Sequence, residues 1–267
     1  DRGTANYRFK IEDGLNTNTT TSHSFSIEKD YIMFEDLYGN NSVANRRGDQ
    51  TDLLYIKVLD KNGTFVSNLN VSFFVTLDGT TWGSEIKNQT NASGYANYYF
   101  NPGCSPKYLV GDQKWYVKVE NEECYNDNNT GGFDGQPNYN LNLSIIGNII
   151  LDFQKPDGSQ NFTQEDTVSF LGATTDDCGD PLTPTVKFYA NNTTMSGYEC
   201  TNVEQVGANA FTCDWATSVS TPSSWYNASM HTNKTYYYDN YTRNIGYPGL
   251  FLLKPLRKLE EEKVDPT

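Results

Sequence analysis

The stretch Leu69-Asn70-Val71-Ser72-Phe73-Phe74-Val75 decides the fold class. In an extended strand successive side chains point to opposite faces, so Val71, Phe73 and Val75 form one apolar face while Asn70 and Ser72 share the other. Leu141-Asn142-Leu143-Ser144-Ile145 repeats the pattern, with Leu141, Leu143 and Ile145 on the apolar side. Upstream, Leu53 to Val58 alternates and is followed by the turn residues Asp60-Lys61-Asn62-Gly63, so a hairpin with Val71 to Leu77 is expected. Further strands are expected at Tyr95 to Phe100 and Trp115 to Val119, set off by turn signals at Asp78-Gly79, Ser93-Gly94 and Gly111-Asp112.

The same rhythm resumes downstream. Ile149 to Phe153, Thr167 to Leu171, Thr185 to Ala190, Phe211 to Trp215, Trp225 to Thr232 and Tyr236 to Tyr238 read as strands, broken at Pro156-Asp157-Gly158 and Gly179-Asp180-Pro181. The 267 residues suit two domains rather than one. The expected organisation is all-β. Residues 1–29 form an N-terminal strand segment, 30–147 and 148–254 are two tandem sandwiches with almost no linker, and 255–267 is a charged tail or connector. Residues 1–29 carry alternating apolar positions, Tyr7, Phe9 and Ile11, then Phe25 and Ile27, yet are too short to enclose a core. Such a segment serves as a strand lent to a neighbour, or as the end of another domain.

Composition narrows the function. Hydrophobic content is 36%, but 19 Tyr and 14 Phe supply large buried areas per residue and suit strands. A formal charge of -13 disfavours nucleic acid, whose phosphates are bound by clustered Lys and Arg. No run reaches the 18 or so apolar residues of a membrane span.

The densest signal is the acceptor pattern Asn-x-Ser/Thr, found at Asn18, Asn40, Asn62, Asn70, Asn88, Asn91, Asn128, Asn142, Asn161, Asn191, Asn192, Asn227, Asn233 and Asn240. With 30 Asn and 46 Ser or Thr in the chain, random placement yields roughly five acceptors of this kind. Fourteen is nearly three times that. Covalent N-glycans on outward strand positions and turns are therefore expected, shielding sheet faces from proteolysis and from edge-to-edge aggregation.

The run Val58-Leu59-Asp60-Lys61-Asn62-Gly63-Thr64-Phe65-Val66, then Val71-Ser72-Phe73 and Thr90-Asn91-Ala92-Ser93-Gly94-Tyr95-Ala96, resembles the invasin/intimin-type bacterial immunoglobulin-like repeat over residues 50 to 120. The second half, with Asp176-Asp177-Cys178-Gly179 and Cys213-Asp214-Trp215, is similar in texture to the immunoglobulin-like repeats of large archaeal surface glycoproteins. The resemblance implies two tandem Ig-like β-sandwich domains in a cell-surface stalk, adhesin, surface-layer (S-layer) subunit or extracellular filament. Together with the acceptors it points to a structural subunit that polymerises with copies of itself at the cell surface. An adhesin or receptor-binding stalk is the alternative.

No other candidate chemistry matches this in density. His23 and His231 stand apart from any catalytic motif, and no nucleophile elbow, zinc-protease helix or phosphate loop is present. No enzyme activity and no cofactor are expected. Calcium is the conceivable ligand for the acidic stretches Asp127 to Asp134 and Asp176 to Asp180, though neither has EF-hand spacing. Arg47-Gly48-Asp49 matches the tripeptide read by integrins, in what reads as an exposed loop with Arg46 and Gln50. Five cysteines without metal spacing suit two disulfides and one remaining thiol in an oxidising compartment. The pairs Cys104–Cys124 and Cys200–Cys213 bracket short segments and are expected, which leaves Cys178.

Overall fold

The computed structural model describes residues 3–48, 51–130, 141–192, 197–242 and 249–256. Every regular element among the described residues is a β-strand. The chain divides into two compact units, Asp1–Ile145 and Ile146–Thr267.

In the first unit, strand Asp52–Asp60 lies between Ile32–Tyr38 and Tyr95–Phe100, antiparallel to both. The opposing sheet runs Ile86–Gln89, Asn70–Val75, Gly111–Val119 and the first residues of Leu141–Lys155. Leu54, Ile56 and Val58 from one sheet and Val71, Phe73, Val75, Trp115, Val117, Leu143 and Ile145 from the other fill one core. Two antiparallel sheets joined by alternating inward residues are the architecture of immunoglobulin-like sandwiches. The inward set of the 70–75 and 141–145 stretches is the one their alternation specifies.

The expected hairpin between residues 53–58 and 71–77 does not form, because the two strands belong to opposite sheets. After Asp60 the chain turns tightly: Asp60 Oδ1 accepts from Asn62 N and Thr64 N, each at 2.8 Å, and Gly63 takes φ +80°. It then follows the 52–60 strand only as far as Val66, whose N donates to Val58 O at 3.1 Å. Val66 and Leu69 are buried, and sinking them into the core carries the chain across to the other sheet. The glycine of the Thr90 to Ala96 motif also has a structural cause. Gly94 has φ +77°, and a Cβ there would lie 2.7 Å from Val58 O.

The N-terminal strand segment is a double hairpin. Gly3–Tyr7 pairs with His23–Ile27, and Lys10–Glu12 pairs with Thr17–Thr19. Among the described residues, none of these strands pairs with any strand outside the segment.

The second unit repeats the two-layer plan. One sheet holds Glu204–Gln205, Ala210–Ala216, Thr167–Asp176 and the last part of Leu141–Lys155. The other holds Asn161–Thr163, Leu250–Lys254, Ser224–Asn233, Thr185–Asn191 and Tyr198–Cys200. Phe153, Val168, Phe170, Phe188, Trp215, Tyr226, Phe251 and Leu253 pack between them. Cys200 and Cys213 are bonded, Cα to Cα 6.4 Å, and because they stand in different sheets the bond staples the layers together. The expected Cys104–Cys124 bond is absent: Cys104 and Cys178 are both disulfide-bonded, and Cys124 is the exposed free thiol. Sequence separation suggested the nearer partner, whereas Cys124 sits on the surface beyond the end of strand Gly111–Val119. The tail from residue 257 onward lies outside the described residues.

Candidate functional site

The acceptor asparagines are the feature that any site must explain. Ten of the fourteen, Asn18, Asn40, Asn62, Asn70, Asn88, Asn91, Asn142, Asn161, Asn191 and Asn233, are exposed, and Asn128, Asn192, Asn227 and Asn240 are half-buried. Strand pleat accounts for Asn70 and Asn142, which alternate with core residues. Turns present Asn40, Asn62 and Asn91.

Accessibility of the residue is only part of the chemistry, because a glycan attaches at the amide nitrogen. Three amides are tied to the fold. Asn128 Nδ2 donates to Ile32 O at 2.8 Å, Asn240 Nδ2 to Ile149 O at 2.7 Å, and Asn88 Nδ2 to both Asn97 O and Asn97 Oδ1 at 2.7 and 2.8 Å. Asn70 Nδ2 donates to Glu122 and Asn233 Nδ2 to Asp239, both pairs at the surface. At Asn91 the roles are reversed: Oδ1 accepts from Ser93 N and Tyr95 N at 2.9 and 3.0 Å, and Nδ2 makes no hydrogen bond among the described residues.

The sequon hydroxyls divide in the same way. Thr90 and Thr130 are buried, their Oγ1 atoms accepting from Leu69 N and Val117 N. Ser72 faces away from the core as its strand position requires, but Glu85 covers it. Ser72 Oγ donates to Glu85 at 2.6 Å, and this bond, with Lys87 nearby, holds the Glu85 carboxyl below its ordinary range. These hydroxyls are structural parts of the folded sandwich, so the acceptor triplets serve the fold and any modification together.

His23 lies beside the Tyr7 ring at 5.6 Å between centroids, and His231 sits against Tyr189 at 4.6 Å. No group of three or more His, Cys, Asp or Glu suited to a metal occurs among the described residues. Asp176 Oδ1 accepts from Cys178 N and Asp180 N, each at 2.9 Å, so the second acidic stretch is a turn closed on itself. Of the first stretch, residues 131–134 lie outside the described residues, as does Asp49. Arg46 is not part of an exposed loop: it is buried, with a guanidinium nitrogen donating to Tyr108 O at 3.0 Å.

Two exposed apolar features escape any motif. The N-terminal hairpins carry Tyr7, Phe9, Ile11, Leu15, Phe25 and Ile27, all exposed, with Leu15 at 95%. On the solvent face of the three-stranded sheet, Tyr38 stacks on Tyr55 and Tyr95 meets Tyr55 edge-on. Sequence alternation gives the outward direction of Tyr55 and Tyr95, but the neighbour across the sheet comes only from strand pairing.

Among the described residues no helix is long and apolar enough to cross a membrane. No protein-family model matches the chain, and no curated protein does. Solved structures with a similar fold include invasin, a bacterial integrin-binding protein, at 13% identity and TM-score 0.36 over 76% of this chain and 36% of that one. A tetra-tandem repeat from the extending region of a large adhesion protein matches at 13% identity and TM-score 0.39, over 90% of this chain and 55% of that one. The four N-terminal Ig domains of Dscam1 match at 11% identity and TM-score 0.37, over 94% of this chain and 54% of that one. The chain thus spans between about a third and just over half of these structures.

Proposed function

We propose that the chain is a glycan-coated structural subunit of an extracellular filament or surface layer that joins copies of itself head-to-tail by strand addition. The observation that carries this reading is the N-terminal double hairpin, whose strands pair only with each other among the described residues and expose Phe9, Ile11, Leu15 and Phe25. A two-stranded ribbon without a packed face is marginal in water. Adding one of its strands to an open sheet edge of a second copy satisfies backbone groups and buries alternate side chains. A head-to-tail contact of that kind propagates unless rotation closes it. The surface coat rests on the fourteen acceptors, and the staple between Cys200 and Cys213 suits an oxidising exterior. Acceptor density combined with cysteines favours archaeal surface glycoproteins over bacterial adhesins as its kin.

The test is deletion of residues 1–29. Particle images of the glycosylated full chain are expected to show a regular polymer, and the truncated chain is expected to remain monomeric while keeping both folded units. Polymers of normal stability from the truncated chain would defeat the proposal.

A further inference from the structure

We propose that the glycan on Asn91 folds back onto its own chain and docks on the Tyr55–Tyr95 platform, making the outer face of the first sandwich a built-in carbohydrate site. This rests on the reading of the acceptors as glycosylated.

Strand pairing sets Tyr55 opposite Asn97 on one side and Tyr38 on the other. The Tyr38 and Tyr55 rings are parallel within 3° at 4.8 Å, and Tyr95 stands at 81° to Tyr55 at 5.7 Å. Tyr95 is held in place: its hydroxyl donates to Asp36 Oδ2 at 2.9 Å, and Lys57 Nζ lies 3.7 Å from the same oxygen and 5.5 Å from the centre of the Tyr95 ring. Beside these rings is a cleft of about 380 Å³, lined by Leu53, Tyr55 and Tyr95 and by the amides of Asn88, Asn91 and Asn97. That is within the size range of small-ligand sites, about 300–1,000 Å³. A pyranose presents a C–H face that packs on an aromatic ring and a rim of hydroxyls that amides bond. The cleft offers both kinds of surface.

The occupant follows from the attachment point. Asn91 stands in the cleft wall with Oδ1 committed to its turn, which fixes the amide plane and leaves Nδ2 for the glycosidic bond. Asn88 lines the same cleft, but its Nδ2 already donates to Asn97 O and Asn97 Oδ1, and a glycosidic bond replaces one of the two hydrogens it donates with. Tethering raises the local sugar concentration to roughly millimolar, so weak stacking suffices for occupancy.

The experiment uses the glycosylated full chain. Glycopeptide mass spectrometry establishes occupancy at Asn91, and proton–carbon NMR follows the sugar C–H signals. Ring currents are expected to move a subset of these upfield in the wild type. The displacement should be lost in Tyr55→Ala, kept in Tyr55→Phe and absent in Ser93→Ala, which removes the acceptor triplet but preserves the Asn91 turn. An occupied Asn91 with undisplaced signals overturns the docking and leaves the surface coat standing. A vacant Asn91 among occupied neighbours does the same, whereas vacancy at every acceptor overturns both.

Discussion

The side-chain oxygen of Asn40 accepts a hydrogen bond from Asn142 N at 2.9 Å, so one acceptor asparagine anchors the backbone of another 102 residues away. The turn that follows strand Ile32–Tyr38 is thereby fixed to strand Leu141–Lys155, and Asn41 N adds a second link by donating to Asn142 O. A substitution at Asn40 consequently removes a structural bond as well as a modification site. We predict that Asn40→Ala, measured by denaturant unfolding of protein made in a non-glycosylating host, lowers stability by about 0.5–1 kcal/mol. No loss in that host would mean that the bond contributes nothing and that Asn40 acts through its glycan alone.

Adjacent phenylalanines offer a direct test of the strand alternation. Phe73 is fully buried, whereas Phe74 lies on the opposite face, stacked on Tyr116 with centroids 4.8 Å apart. Phe73→Ala is predicted to cost about 3–5 kcal/mol through lost burial and the cavity left behind. Phe74→Ala forfeits chiefly an aromatic pair, worth about 0.5–1.5 kcal/mol beyond its burial. Equal losses at the two positions would contradict the assigned faces.

The cysteine assignments lend themselves to mapping. Under native, non-reducing conditions a maleimide should label Cys124 and spare Cys200 and Cys213, and peptide mapping should recover the Cys200–Cys213 link. Its loop spans 13 residues in sequence, and replacing both cysteines by Ala is expected to lower stability by about 3 kcal/mol in the chain-entropy picture. A Cys104–Cys124 peptide would refute the assignment of the free thiol.

Asp78 links stability to pH. Its carboxylate accepts from Thr80 N, Thr81 N and both threonine hydroxyls in the loop after strand Asn70–Val75, and these bonds hold its pKa far below the usual aspartate range. The folded value is depressed, so the contribution is fully present above the unfolded value and is lost as pH falls through the folded one. Asp78→Ala should therefore melt lower than wild type at neutral pH, and the gap should narrow in strong acid. A gap that stays constant from neutral pH into acid would rule out the carboxylate as its source.

What the sequence discloses follows its physics. Alternation identified Asn70–Val75, Tyr95–Phe100 and the inward residues Leu141, Leu143 and Ile145, because a half-buried strand writes its two faces into every second residue. Ile32–Tyr38 escaped the same test: its pairing with Asp52–Asp60 shifts register between Glu35 and Tyr38, where Asp36 takes φ +47°, so the alternation breaks inside the strand. Leu250–Lys254 was missed although Pro248-Gly249 precedes it, because Leu250-Phe251-Leu252-Leu253 is apolar throughout and shows no alternation of faces. Long-range choices were less legible. Local turn chemistry at Asp60 to Gly63 suggested a hairpin, but burial of Val66 and Leu69 overrode it, and cysteine spacing could not reveal that Cys124 ends on the surface. The acceptors themselves were legible as a pattern, yet which amides are engaged depends on which strands the fold brings together, as Asn88 on one sheet shows against Asn97 on the other.

That dependence yields the final prediction, a ranking of glycan occupancy. Asn62, Asn91 and Asn161 are exposed, and none of their amide nitrogens donates a hydrogen bond among the described residues, so their occupancy should be high. Asn128 and Asn240 are half-buried, and each gives its amide hydrogen to a backbone carbonyl, of Ile32 and Ile149 respectively. A sugar on either nitrogen must find room beside a filled strand edge and leaves a single hydrogen to keep the bond. Losing such a bond at a partly buried carbonyl costs about 1 kcal/mol or more. If attachment precedes folding, that cost appears as lower stability of the occupied species; if it follows folding, it appears as low occupancy. Site-resolved glycopeptide quantification separates the two groups: more than half of the fourteen acceptors should carry glycan, with Asn128 and Asn240 below Asn62 and Asn91. Fewer than half occupied would end the surface-coat reading. Uniform occupancy, combined with unchanged stability of Asn128→Gln and Asn240→Gln, would show instead that these amide bonds place no constraint on modification.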